Sequence, residues 1–213
     1  MIKKGIIISS ENEKLAIVEE NIEFVLLRAG FTDYNTSKAK TKDKKFDENY
    51  KWAKDNNLKI GTFYESRATN IKEAKGELNF FCKIINNKEF EYPISIKLED
   101  DHNTKIYYPQ SQQTIKRKDF YKILKYMYNQ LQLKMYIPLI ITYDSWYTKL
   151  KKHNFNFLLD KKLDQKDIIY LDIHNLSKER MLTNKENNNN LLNKICIIIK
   201  KGYQMLKNRV RKK

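Results

Sequence analysis

The sequence predicts an α/β fold built on mainly parallel strands, and three observations predict it. Short, uniformly apolar runs alternate with segments of helical period, the β-helix-β rhythm of a sheet covered by helices. Six such runs fall within about the first 175 residues of 213, which suits either a barrel or a doubly wound sheet. No glycine-rich phosphate loop follows the first run, since Ser9-Ser10-Glu11-Asn12 has no glycine. A dinucleotide-binding sheet therefore fails its main requirement.

Ile6 to Ile8 reads as the first buried strand. Asn12 to Glu20 reads as a short helix with Leu15 and Val18 inward. Ile22 to Ala29 is the second strand, and Gly30 to Lys45 a long polar loop. Phe46 to Asn56 is a helix, with Phe46, Tyr50 and Ala53 at helical spacing. Lys59 to Tyr64 is the third strand. Asn70 is placed to cap a helix from Ile71 to Ile85, with Glu73 in the capping-box position. Ala74, Leu78, Phe81 and Ile85 form that helix's apolar stripe. The fourth strand lies within Tyr92 to Leu98. A loop carrying Tyr107, Tyr108 and Pro109 leads to an amphipathic helix over Gln113 to Gln132. Met135 to Thr142, a short helix from Ser145 to Lys152, and Asp167 to Ile173 supply the fifth strand, another helix and the sixth strand.

Composition bounds the rest. With 41% hydrophobic residues, a packed core is expected and global disorder is not. Lys and Arg number 42 against 26 Asp and Glu, a net charge of +16. That balance suits an anionic partner, whether nucleic acid, anionic membrane or acidic wall polymer, or else the lysine-rich drift of an AT-rich genome. Cys82 and Cys196 sit in apolar surroundings without metal-type spacing and suit buried free thiols. No metal or cofactor is expected. Met1-Ile2-Lys3-Lys4 imitates a signal start, but the apolar run after it is too short for a signal core. No stretch approaches the roughly 18 apolar residues of a membrane span. No export route is visible.

The fourth strand carries the first candidate for chemistry. Strand alternation puts Tyr92, Ile94, Ile96 and Leu98 on one face and Pro93, Ser95, Lys97 and Glu99 on the other. Carboxylates where a parallel strand emerges are where barrel enzymes keep their chemistry; a solvated strand end is the alternative.

Several segments, in order, resemble the family 25 glycoside hydrolases, the muramidase lysozymes. Phe24-Val25-Leu26-Leu27-Arg28-Ala29-Gly30 is similar to their second strand. Phe46 to Lys54, with its Asn49-Tyr50 pair, resembles the next helix, and Leu58 to Ser66 the third strand. Ala68, Glu73-Ala74-Lys75-Gly76-Glu77 and Phe80-Phe81 resemble the helix after it. Pro93 to Glu99 falls where the family has a Pro, a strand and an Asp-x-Glu. Pro138 to Trp146 resembles a later strand that ends near a Trp. The resemblance covers roughly residues 5 to 175. It implies a flattened (β/α) barrel of mainly parallel strands that hydrolyses the β-1,4 link after N-acetylmuramic acid. It also implies Glu99 as general acid, Arg28, Tyr64 and Trp146 as substrate-binding residues, and peptidoglycan or a related glycan as partner.

The departures bear on activity. The family's first-strand Asp is Ile7 here, and its Asp-x-Glu is Lys97-Leu98-Glu99. A Tyr usual in the third strand is Phe63, with Tyr64 adjacent, and the Trp of the sixth strand is Tyr170. No final-strand acid has a clear counterpart; Asp172 is the candidate substitute, ahead of Asp101 and Asp144. Glycoside hydrolysis needs a protonated acid and a second carboxylate, or a substrate group oriented by one. Lys97 beside Glu99 favours the carboxylate over the acid. Losing one member of such a pair costs on the order of a thousandfold in rate. The expectation is a muramidase with an eroded site, weakly active or silent. A glycan-binding or scaffold protein is the alternative, and a basic nucleic-acid binder a third reading that lacks a motif.

Residues 176–213 form a separate segment. They hold eleven Lys and Arg against two Glu, nine of the sixteen net charges. Lys185 to Asn190 is low in complexity. Leu191, Ile195, Ile198, Ile199, Leu206 and Val210 can line one face of a basic amphipathic helix able to contact an anionic surface. Ile195 to Ile199 can equally be a closing strand.

Overall fold

The computed structural model describes residues 2–11, 22–33, 38–98, 112–153, 155–159 and 168–172. Its strands are β1 (Ile2–Ile8), β2 (Phe24–Thr32), β3 (Lys40–Lys42), β4 (Lys59–Glu65), β5 (Ile94–Lys97), β6 (Pro138–Thr142), β7 (Phe157–Leu159) and β8 (Ile168–Asp172). Its helices are α1 (Phe46–Asp55), α2 (Ile71–Ile85), α3 (Arg117–Leu133) and α4 (Asp144–Leu150), with a 3-10 turn at Gln112–Thr114. Lys3–Leu171 forms one compact unit.

The strand order is β7-β6-β5-β4-β2-β1-β8, with β3 paired to β2 off this path. Pairings from β1 through β2, β4, β5 and β6 to β7 are all parallel. From β1 to β7 each new parallel strand is added on the same side of the last, and β8 then returns to the free edge of β1, as in the winding of a barrel. A doubly wound sheet reverses direction at a switch point. The winding therefore decides between the two architectures that the apolar runs alone leave open, and the sheet is a curled half-barrel covered by helices.

The faces follow from alternation. Ile6, Ile8, Val25, Leu27, Ile60, Tyr64, Ile94, Ile96 and Ile140 point outward and pack with Phe81, Phe120, Leu124, Met127 and Leu131 of the helices. Phe24, Leu26, Phe63, Leu139 and Ile141 are buried outside that cluster, on the inner face. Both faces are covered, which is why the strands read as continuous apolar runs.

Local chemistry places the helices. The Asn70 side chain accepts a hydrogen bond of 2.9 Å from the Glu73 N–H, the expected cap of α2. Glu73 reaches back one residue further than a capping box, accepting from the Thr69 N–H at 2.8 Å. The α1 start has no side-chain cap, but Asp47 and Glu48 lie in its first turn, where carboxylates offset the helix dipole.

The structure corrects several boundaries. β2 runs on to Thr32, and the polar segment after it contains β3, antiparallel to β2. β6 starts at Pro138 rather than Met135, whose φ of 65° ends the turn after α3. β7 has no counterpart in the sequence reading. The expected helix over 12–20, the loop carrying Tyr107 to Pro109, and the segment 176–213 with its boundary lie outside the described residues. Among the described residues, no helix is long and apolar enough to cross a membrane. Cys82 is half-buried and free; Cys196 lies outside the described residues.

Two glycines give opposite expectations. A Cβ on Gly61 would lie 2.5 Å from Leu26 Cδ2 and 2.7 Å from the Pro93 carbonyl oxygen, so β4 and the entry to β5 approach too closely for any side chain. A Cβ on Gly76, within α2, would meet nothing within 4 Å. Urea unfolding should show Gly61→Ala destabilised by about 1–3 kcal/mol. Gly76→Ala should be stabilised by about 0.5–1 kcal/mol.

Candidate active-site cleft

Parallel strands deliver their carboxyl ends to one end of the sheet, and a cleft opens there. Its volume is about 290 Å³, and Glu11, Arg28, Phe31, Glu65, Lys97 and Tyr143 are among its lining residues. They come from the ends of β1, β2, β4, β5 and β6. Register accounts for their neighbourhood. Arg28 aligns with Phe63, and Phe63 with Ser95; Phe31 aligns with Glu65, and Glu65 with Lys97. In-register residues of parallel strands share a face, so these two rows form the inner wall of the cleft mouth.

Arg28 is the hub. It lies at an irregularity of register between Arg28 and Gly30, and its side chain is 4% exposed. Its Nε donates to Asp43 Oδ2 at 2.8 Å, and an Nη2–H donates to Glu11 Oε1 at 2.8 Å. Nη1 lies 3.6 Å from Glu65 Oε2. The guanidinium also sits 4.9 Å from the centre of the Phe31 ring. Burial works against its charge, but the hydrogen bonds with Glu11 and Asp43 and the charges of Glu65 and Glu11 outweigh it, so the Arg28 pKa is raised. Asp43 is fully buried and also accepts from the Ser10 and Lys45 N–H groups, each at 2.9 Å. Glu65 extends the network to Lys97, whose Nζ is 3.8 Å from Glu65 Oε1 and 5.8 Å from the Phe63 ring centre.

A further carboxylate lies behind the cleft, on the helix side. Glu77 of α2 is buried. It accepts from Ser66 Oγ at 2.6 Å, Thr32 Oγ1 at 2.7 Å and the Arg67 N–H at 3.0 Å. Thr32 Oγ1 is in turn 2.9 Å from the Tyr64 hydroxyl. Burial raises the Glu77 pKa despite those donors. Burial likewise pushes the Tyr64 hydroxyl well above the usual range, against the Thr32 hydrogen bond. Ser66 joins the two sides: its N–H donates to the Lys97 carbonyl at 2.9 Å while its side chain holds Glu77.

Of the residues singled out in the sequence, Arg28 lines the cleft. Tyr64 does not. It is fully buried, with its ring centre 5.6 Å from that of Phe81 and 6.3 Å from that of Phe80. Adjacent residues of a strand face opposite ways, so Tyr64 cannot stand in for an inward aromatic at Phe63. Trp146 is 2% exposed and packs on Phe120 at a centroid distance of 4.2 Å; it belongs to the core between α3 and α4. Ile7 aligns with Leu26, and Leu26 with Gly61, which puts it on the inner face. Glu99 and Asp101 lie outside the described residues, as do the side chains of Asp144 and Asp172; Asp172 is the last residue of β8. Asp43, Glu65 and Glu77 were not foreseen. Glu77 left a signal, because an acid at helical spacing within the Ala74-Leu78-Phe81 stripe must be buried. Among the described residues, no cluster of His, Cys, Asp and Glu is placed to hold a metal ion.

No family sequence model and no curated protein sequence matches the chain; solved structures do. The spore cortex lytic enzyme SleM of Clostridium perfringens matches with a TM-score of 0.59 at 10% identity, over 78% of this chain and 55% of its own. The modular autolysin LytC of Streptococcus pneumoniae matches with a TM-score of 0.56 at 20% identity, over 70% of this chain and 35% of its own. The half-barrel is thus a fold shared with an autolysin and a spore cortex lytic enzyme. A family GH25 lysozyme from Aspergillus fumigatus matches with a TM-score of 0.51 at 18% identity, over 70% of this chain and 68% of its own. The fold of this chain is that of the family 25 muramidases.

Two measurements test the network. Removing one partner of a buried ion pair strands the other, at a cost of about 3–5 kcal/mol. Arg28→Met should therefore lose about 3 kcal/mol or more in urea unfolding, and Arg28→Met with Asp43→Asn should recover most of it. Additive losses would disprove the coupling.

The second concerns Glu77. Its folded pKa is raised above the ordinary 4.5, so its stabilising contribution is full below the unfolded value. The contribution is lost as pH rises through the folded value. The stability of the wild type relative to Glu77→Gln should then decline as pH rises above the ordinary 4.5. A flat difference would refute a raised pKa.

Proposed function

We propose that this chain keeps the glycan cleft of a muramidase and has lost most or all of its hydrolytic chemistry. It binds peptidoglycan or a related glycan across the carboxyl ends of β2, β4 and β5. Its hydrolysis of the β-1,4 link after N-acetylmuramic acid is very weak or absent.

The observation that carries this reading is the pairing of Glu65, 3.6 Å from Arg28 and 3.8 Å from Lys97. A glycosidase of this kind needs a proton donor for the leaving oxygen and a second carboxylate, or an oriented substrate group, for the oxocarbenium-like centre. Glu65 is committed as counter-ion to two cations. Lys97 stands where the resembled family has the Asp of its Asp-x-Glu, and Ile7 where it has its first-strand Asp. A cation and an alkyl group thus occupy two places where the reaction calls for carboxylates. Glu99 remains the candidate general acid, and Asp172 the candidate substitute for the missing group. The binding half of the reading draws support from the fold, since the pneumococcal autolysin has been solved with a synthetic peptidoglycan ligand.

Purified peptidoglycan offers the test. The protein should co-sediment with it while clearing its turbidity little or not at all. Ile7→Asp combined with Lys97→Asp should raise any clearing more than either change alone, because paired catalytic groups act non-additively. Clearing by the wild type at ordinary lysozyme rates, abolished by Glu99→Gln, would overturn the silent reading. It would assign the missing role to another carboxylate, with Asp172 the first to test.

A further inference from the structure

The positive charge of this chain is not spread evenly. Residues 1–98 carry eighteen Lys and Arg against fifteen Asp and Glu, whereas residues 112–153 carry nine against two. Compositional drift would add lysines everywhere, but it would not remove the acids from one region. Pairing follows the same division. Lys38, Lys51, Lys54, Lys88 and Lys97 each reach a carboxylate within 4.0 Å. On α3 and α4, Lys122 pairs with Asp119 at 3.0 Å, and no other ion pair is formed among the described residues.

Packing gathers these cations onto one face. The Tyr121 ring of α3 stacks on His153, just past α4, with centroids 3.8 Å apart. Arg117, Lys118 and Lys125 stand four and three residues before Tyr121 and four after it, so they share its side of α3. Lys125 Nζ lies 5.8 Å from the Tyr121 ring centre. Lys151 and Lys152 adjoin His153, and all five cations are exposed. The stack therefore joins two basic segments, far apart in sequence, into one surface.

We propose that this surface, formed by the first half of α3 and the turn after α4, docks a phosphodiester-bearing anionic polymer of the cell wall. The choice of wall polymer rests on the muramidase-like reading above; the anionic chemistry does not. Four of the five cations are lysines, point charges suited to a polymer recognised by charge alone rather than through bidentate geometry. Single-stranded nucleic acid would call for open aromatic faces on which bases stack, but Tyr121 and His153 are stacked on each other. An interfacial membrane site would call for large apolar side chains beside the cations. The exposed large apolar residues among those described are Ile71, Leu133 and Met135, none within the patch. A polymer held here would tether the protein to the wall while the cleft stays open to glycan.

The test uses the full chain, with Arg117→Glu, Lys118→Glu and Lys152→Glu combined in one variant. A charge-matched control combines Lys44→Glu, Lys75→Glu and Lys83→Glu, exposed lysines elsewhere on the fold. The control cancels the contribution of the basic segment 176–213. The probes are poly(glycerol phosphate), an oligo(dT) strand, vesicles with anionic lipid, and peptidoglycan stripped of phosphate polymer by hydrofluoric acid. At about 0.1 M salt the patch variant should bind poly(glycerol phosphate) at least about tenfold more weakly than the control. Its log-affinity against log-salt slope should be shallower by about 2, near 0.7 for each lost phosphate contact. Binding to stripped peptidoglycan should be equal in the two variants; loss there by both would count against the glycan-cleft reading alone. Equal weakening of polymer binding in the two variants would overturn the proposal. So would a larger selective loss on oligo(dT) or on vesicles, which would name a different partner. A parallel set with Gln in place of Glu should give a smaller shift in the same order.

Discussion

The buried ion pair between Arg28 and Asp43 is the interaction on which the cleft depends. Neither side chain can sit in the interior alone, because an uncompensated charge there costs several kcal/mol. Their pairing fixes the guanidinium at the end of β2, and its other nitrogens then select their neighbours. Glu11 follows β1, Asp43 precedes α1, and Glu65 ends β4 and passes the contact on to Lys97 of β5. Four carboxyl-end segments of a parallel sheet are thus tied through one residue. Hydrogen bonds within the strands set their spacing, and this charge cluster sets the shape of the mouth they form.

That arrangement constrains the chemistry. Of the carboxylates that the described residues bring to the mouth, Glu11, Asp43 and Glu65 are matched by cations, while Asp33 accepts from the Thr41 hydroxyl at 3.5 Å. Among the described residues the one carboxylate with a raised pKa, Glu77, lies on the helix side with its oxygens filled by Ser66, Thr32 and Arg67. The fold thus separates two functions of an acid. The paired group at the mouth shapes the cleft. The group that burial drives toward its protonated form is sealed into the packing of α2 against β2 and β4. A muramidase needs both kinds of acid on the same side, facing substrate. The inward positions of Ile7 and Lys97 are where this chain departs from that requirement.

Much of the fold was legible in the sequence because its signals are strong and local. The apolar runs of β2, β4 and β6 are buried on both faces, and the Asn70 cap with its following stripe sets the start of α2. β3 and β7 were not legible: Lys40–Lys42 has no apolar residue, and three residues are too few to show a period. The choice between barrel and doubly wound sheet was also hidden, since it lies in strand order, which helix-strand alternation does not encode. In the site, Arg28 is legible through its place in a recognisable strand, whereas Tyr64 stands one residue from the inward position, enough to turn it to the other face. Asp43 and Glu65 carry no signal of their own. Their roles follow only once the parallel register sets the ends of β2, β4 and β5 side by side.

The central claim is a glycan cleft that binds without cutting. A crystal structure of the full chain soaked with a peptidoglycan-derived tetrasaccharide at neutral pH tests it most directly. The account predicts an intact sugar lying across the ends of β2, β4 and β5, with Glu65 still paired to Arg28 and Lys97. A cleaved sugar in that cleft, or an intact one bound elsewhere on the molecule, would contradict it.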